Sequence, residues 1–246
     1  THAVLDGLAL GLILQAGYVV YQKATGVVQA MGSMIHQNTL GFMTELALIP
    51  ILAALLGGYN SKLVKAGIVA GLVIVAGGGS RAALLICTVS VAVLVLLSIV
   101  QHMTPLKGRI AGAGVIVALL IAPLAYATLQ TRFGGGSVFA EEEQRNAMER
   151  AARDMANDNI FGVGPNLYVN IANIRGYSAR AGVTWSSATR AAPVHNAYLL
   201  ARAETGWPGQ IAFLMIFVVP VVAALRHAFQ NRRTFDGAIA LGAAVS

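Results

Sequence analysis

The stretch Val194-His195-Asn196-Ala197-Tyr198-Leu199-Leu200, then Glu204-Thr205-Gly206-Trp207-Pro208-Gly209, runs into the apolar segment 210–225. It sets a histidine, an asparagine and a tyrosine on a short helix at the mouth of a membrane span, where an ionisable side chain is costly unless it has a task. Of the 246 residues, 57% are hydrophobic and only 11% are charged, against about a quarter charged in soluble domains. With a mean hydropathy of +0.69, the chain reads as an all-α, polytopic integral membrane protein. The rest of it reads as a scaffold that brings two arginines to His195.

A formal charge of +7 would suit nucleic acid, but Lys and Arg gather at the ends of apolar runs. There the cytoplasmic bias for cations and contact with anionic lipid account for them, so membrane lipid is the expected partner and nucleic acid is not. Cys87, the only cysteine, has no partner for a disulfide and lies in an apolar run, so it reads as a small hydrophobe. The chain opens without Met and stops within the apolar stretch 237–245, as a piece of a longer membrane protein would, and no signal peptide is visible.

A span takes about 20 apolar residues, and the runs are 8–21, 40–56, 66–76, 82–100, 110–129 and 210–225, with 237–245 cut short. The expectation is about six complete or near-complete spans and a truncated one. Lys62 and Lys65, Lys107 and Arg109, and Arg226, His227, Arg232 and Arg233 mark the short loops expected on the cytoplasmic side. Threading the runs between them puts 22–38, the Gly77-Gly78-Gly79-Ser80-Arg81 turn and 130–209 on the opposite face. His36, Asn38, Arg81, Arg145 and His195 then share one side on charge bias alone. Three regions follow: spans in 1–129, a large external loop with the chemistry in 130–209, and spans again in 210–246.

The loop opens with Arg132-Phe133-Gly134-Gly135-Gly136-Ser137, read as a hinge. A helix should follow from about 140 to 157: Glu141 to Glu143 suit the first turn, and Glu149 precedes Arg153 by four. Met148, Ala152 and Met155 make its apolar stripe, and Arg145 on the edge of that stripe is the arginine expected to face inward. Phe161-Gly162-Val163-Gly164-Pro165-Asn166-Leu167-Tyr168 reads as a turn; no strand precedes it, which rules out a dinucleotide fingerprint. Residues 170–193, with Arg175, Arg180, Trp185 and Arg190, read as irregular loop. Trp185 is placed at the lipid interface in preference to its other reading, stacking on a sugar ring.

The Gly79-Ser80-Arg81 turn opening a span comes first. Arg145 follows with Met148, Ala151 and Met155, then Phe161-Gly162-Val163-Gly164-Pro165, and last His195-Asn196-x-Tyr198-Leu199 leading to Glu204-Thr205-Gly206-x-x-Gly209. In order and spacing, from Asn38 to about Leu225, this resembles the O-antigen ligase and polymerase superfamily. Asn159 stands where that family often has Pro, and Met148 where it often has Trp. The resemblance implies a multi-span glycosyltransferase of the GT-C type in the bacterial inner membrane. Its donor would be a glycan on an undecaprenyl-diphosphate carrier at the periplasmic face, and its acceptor a hydroxyl of lipid A core, another glycan or a protein. Ligase, repeat-unit polymerase and protein O-oligosaccharyltransferase share this constellation, with ligase the first expectation.

A diphosphate leaving group gains charge as the anomeric bond breaks, and guanidinium forks bidentately onto phosphate oxygens; Arg81 and Arg145 are the candidate clamps. The acceptor hydroxyl must lose a proton, a task suited to imidazole at neutral pH, and His195 is the candidate base of a single inverting displacement. Asn196, Tyr198 and Asn38 are expected around the substrate. Each has a structural competitor: Arg81 as a snorkelling helix anchor, Arg145 in helix-face ion pairs, His195 as a cap or interface histidine, Asn38 as the cap of its helix. Glu204 is read as structural, paired with Arg202 or a backbone amide. Neither metal nor cofactor is expected: there is no Asp-x-Asp and no His-Glu-x-x-His, and Glu141 to Glu143 diverge around their helix. The competing class is a transporter of polysaccharide or another anionic substrate, which would want ionisable groups at mid-span or broken helices in inverted halves. Glu45 is the one clear mid-span acid, and no repeat accompanies it.

Overall fold

The computed structural model describes residues 2–114 and 136–246, and every regular element among them is helical. In chain order these are α1 (His2–Ala24), α2 (Gln37–Leu56), α3 (Lys62–Gly78), α4 (Arg81–Gln101) and α5, which begins at 105 and is described to 114. They continue with α6 (Gly136–Asp158), α7 (Tyr168–Ile174), α8 (Tyr177–Arg180), α9 (Ala197–Gln230) and α10 (Phe235–Val245). Among them α1, α2, α4 and α9 are long and apolar enough to cross a membrane. The run 66–76 lies in α3, whose 17 residues extend about 26 Å at about 1.5 Å each. The run 110–129 falls mostly outside the described residues. The chain divides into two compact units, Thr1–Ala118 with Pro220–Ser246, and Leu119–Val219.

In the first unit, Leu5, Ala9, Leu12, Ala16 and Val19 recur every three or four residues along α1 and form one buried stripe. The stripe meets α3 at Gly67, where a Cβ would stand 2.7 Å from Ala9 Cα; small residues let apolar helices approach this closely. Polar groups in this apolar unit are paired, as burial demands. Tyr59 Oη donates to Asp6 Oδ2 at 2.9 Å, and Ser90 Oγ donates to the Glu45 carboxylate. The mid-span acid Glu45 therefore joins α2 to α4. Lys107, expected as a loop cation, turns inward: it is 5% exposed, and its Nζ donates to the carbonyls of Ser98 and His102, both at 2.9 Å, closing the end of α4.

The glycine turn between α3 and α4 is shorter than its sequence suggested. Gly77 and Gly78 stay helical, and Gly79 ends α3 in the left-handed region at φ +71°. Ser80 starts α4, its Oγ accepting from Ala83 N at 3.2 Å. In the second unit α6 begins at Gly136, so Gly136 and Ser137 belong to helix where a hinge was expected, while 132–135 lie outside the described residues. The stretch 170–193 is not irregular throughout, since it holds most of α7 and all of α8. Neither has a side-chain cap; both form because Tyr168, Ala172 and Tyr177 bury themselves against α6.

Candidate active site

Helix α6 is the floor of the second unit. Ala147, Met148, Ala151, Ala152, Met155 and Ala156 are buried on one face, as the expected stripe of Met148, Ala152 and Met155 required. Tyr168 lies across it with its Oη donating to the Met148 carbonyl at 3.3 Å, and burial pushes its phenol up to about 12. Glu149 and Arg153 pair at 3.1 Å one turn apart. Arg145, expected to face inward, is exposed. Gln144, one turn before Met148, takes the inward place, and its Oε1 accepts from both N and Oγ1 of Thr184 at 3.0 and 3.1 Å. Arg145 stands about 100° further round the helix, on the outer side of the stripe's edge.

The two glycine-bearing motifs, separated by some 40 residues of sequence, form one structural lock. Val163 N donates to Ala203 O at 3.0 Å, Gly164 N to Glu204 O at 2.8 Å, and Trp207 N back to Ile160 O at 3.1 Å. The Glu204 carboxylate accepts from Tyr168 N at 3.1 Å, so this residue serves a backbone amide, one of the partners its structural reading offered. Gly206 adopts φ 69°, ψ −166° and breaks α9, a conformation essentially restricted to glycine. A Cβ on Gly206 would fall on the Ile160 carbonyl, and one on Gly162 on the Glu204 carbonyl. Across the break, the Arg202 guanidinium lies 4.1 Å from the Trp207 ring centroid and donates to Asn157 Oδ1 at 2.9 Å. The short helix expected at the mouth of the span is thus the part of α9 that precedes Gly206.

That helix starts at Ala197, so His195 and Asn196 precede it and do not ride on it as expected. Asn196 is its cap: Oδ1 accepts from the amides of Tyr198 and Leu199, each at 3.2 Å, and Nδ2 donates to Glu149 Oε1 at 3.4 Å. His195 is exposed, sits between buried Val194 and this cap, and has no hydrogen-bond partner among the described residues. Tyr198, 49% exposed, packs edge-on to Phe213 at 5.6 Å. The helix carries no acidic side chain in its first turn, so the cap supplies the local polar closure.

In the first unit, Asn38 lies one residue inside α2. The cap is His36, whose Nδ1 accepts from Asn38 N at 3.1 Å, a correction to the expectation that Asn38 caps this helix. Asn38 Oδ1 instead accepts from Ser80 Oγ at 2.7 Å. It thereby ties the start of α2 to the residue before Arg81, which opens α4. Asn38 and Arg81 belong to the first unit; Arg145, His195, Asn196 and Tyr198 belong to the second. Gln144 escaped the sequence reading because one polar residue under an apolar stripe gives no periodic signal. The lock escaped it because hydrogen bonds between backbones leave no trace in side-chain identity beyond the glycines.

The family described as O-antigen ligase matches residues 66–214, a stretch that takes in Arg81, Arg145, His195, Asn196 and Tyr198 and leaves Asn38 outside. No curated protein and no solved structure matches the chain.

Proposed function

The chain belongs to the O-antigen ligase family, and from that premise we propose that it transfers a glycan from an undecaprenyl-diphosphate carrier to a hydroxyl acceptor at the periplasmic face of the bacterial inner membrane. The observation that supports this reading is that one family match takes in Arg81, Arg145 and His195 together. His195 accepts the proton of the acceptor hydroxyl as that oxygen attacks the anomeric carbon. The bond from that carbon to the diphosphate oxygen breaks, and the anomeric centre inverts. Arg81 and Arg145 take up the charge that grows on the leaving diphosphate. The topology that goes with this chemistry has about six spans and an external loop over 130–209.

Two features accord with these roles. His195 is exposed next to a fixed cap, which leaves its imidazole available while its backbone is held. Arg81 occupies the first position of α4, where the macrodipole disfavours a cation by about 0.3–1 kcal/mol; a charge kept there serves an anion better than it serves the helix. No step in this displacement calls on a metal or a cofactor. The acceptor is lipid A core in the ligase reading, and a growing glycan or a protein hydroxyl in its variants.

The test uses the full-length protein in a strain lacking it, with gels of surface glycolipids and glycoproteins for wild type, His195→Ala, Arg81→Ala and Arg145→Ala at matched membrane levels. Loss of glycan attachment in all three with accumulation of lipid-linked donor is the expected result, and the band that disappears names the acceptor. Persistent attachment in His195→Ala removes the proposed base, since general-base help is worth about 10²–10⁴ in rate. Failure of the donor to reach the external face would replace transfer with transport.

A further inference from the structure

We propose that Trp185 and Arg190 form a stacking platform for a pyranose ring of the donor glycan, an inference that rests on the transfer reading above and adds a subsite to it. Trp185 is 76% exposed, whereas Tyr168 and Tyr177 of the same unit are buried at 3% and 4%. Exposure here is not looseness. The loop carrying it is tied at both ends: Thr184 is held by Gln144 as described, Arg190 Nε donates to Val183 O at 2.9 Å, and Asn173 Nδ2 donates to Arg190 O at 2.8 Å. Thr189 Oγ1 closes the loop internally on Thr184 O at 2.5 Å. An indole presented this way is preorganised for a ligand.

The Arg190 guanidinium carbon lies 4.7 Å from the indole centroid, a cation–π contact that covers one ring face and fixes its orientation. The other face remains open. Its surroundings are hydroxyls, Thr184, Ser186, Ser187 and Thr189, whereas an interfacial anchor sets its ring among side chains that enter acyl chains. An electron-rich ring face bordered by hydroxyls and a guanidinium matches a sugar, whose C–H face stacks on the ring while its hydroxyls find donors and acceptors at the edge. Placement agrees with the donor. Gln144, which holds Thr184, is the neighbour of Arg145, so a carrier whose diphosphate sits at Arg145 directs its first sugars toward this loop.

A single-tryptophan protein tests this, made with Trp207→Phe, which keeps an aromatic ring beneath Arg202. The full-length protein is placed in vesicles of phosphatidylcholine with and without brominated acyl chains, and Trp185 emission is followed while oligosaccharide released from the lipid-linked donor pool is added. The expected result is no quenching by brominated lipid and a saturable response to oligosaccharide, which persists in a His195→Ala background. In transfer assays Trp185→Ala should raise the KM for lipid-linked donor about three- to tenfold at unchanged kcat, with Trp185→Phe close to wild type. Quenching by brominated lipid with no response to oligosaccharide makes Trp185 a membrane anchor and overturns the platform. If His195→Ala still forms product while the oligosaccharide response saturates, the catalytic assignment fails and the platform stands.

Discussion

Replacing Asn196 by serine, aspartate and alanine separates the helix cap from any direct contact with substrate. In the wild type one side-chain oxygen accepts from two amides at 3.2 Å, and the nitrogen reaches Glu149 at 3.4 Å. Alanine leaves those amides without the cap, at about 1 kcal/mol within a range of about 0.5–2. The Glu149 bond is long, and that carboxylate is 32% exposed and already paired with Arg153, so its loss adds less than about 1 kcal/mol. Serine keeps the cap and gives up only the Glu149 bond. Aspartate keeps the cap and gains about 0.3–1 kcal/mol from the dipole, but sets a second carboxylate against Glu149, a repulsion on the order of 1 kcal/mol or more. The expected order of stability is asparagine, then serine, then aspartate and alanine together, read as thermal unfolding of the purified full-length protein in detergent. Transfer should follow the same order, because a displacement of about 1 Å at His195 can cost about 10² in rate: alanine falls by one to two orders of magnitude and serine by a few-fold. A serine variant that melts like wild type yet transfers no better than alanine would put the Asn196 amide on the substrate, and the cap argument would be wrong.

Gly206→Ala should be far more damaging, since the residue occupies a glycine-only conformation worth about 1–3 kcal/mol and its Cβ would strike the Ile160 carbonyl. Limited proteolysis should cut this variant at 160–168 and transfer should vanish; a wild-type digestion pattern would show that the turn and the break are not interlocked. Tyr168 gives a pH dependence. Its folded phenol is raised from the ordinary 10.0 to about 12, so its contribution is complete below pH 10 and is lost as pH rises through 12, on the order of 2–3 kcal/mol. Unfolding midpoints measured from pH 9 to 12 should fall more steeply in wild type than in Tyr168→Phe, and parallel curves would contradict that burial.

The spans were legible in the sequence because an apolar run of helix length has few alternatives in a chain this hydrophobic. Helix α6 was legible because Met148, Ala152 and Met155 repeat at helical spacing and Glu149 meets Arg153 one turn on. Arg145 was misplaced by a small angle: a residue on the edge of a stripe can turn either way, and Gln144 already fills the inward position. The two short helices left no signature, since seven and four residues are too few for periodicity and neither has a capping side chain. Two cap assignments slipped by a residue or two for a related reason. His36 and Asn196 each use a side-chain acceptor on amides two or three residues ahead, and several neighbouring polar residues could have filled those positions. Glu204 was legible in kind, as a structural carboxylate, but its partner Tyr168 lies 36 residues away and only the folded turn brings them together.

The break at Gly206 also has a mechanical meaning. In an unbroken helix each residue inserted or deleted within the span would swing everything before it by about 100°, and any slide of the span to suit a thicker or thinner bilayer would drag His195 along the membrane normal. Here the segment from Ala197 to Thr205 takes its bearing from Ile160, Val163, Gly164 and Tyr168, not from the lipid-facing residues that follow. The span can lengthen, shorten or drift in sequence while the imidazole keeps its aim, so variation in the membrane-embedded part of α9 is insulated from the chemistry by a single residue without a side chain.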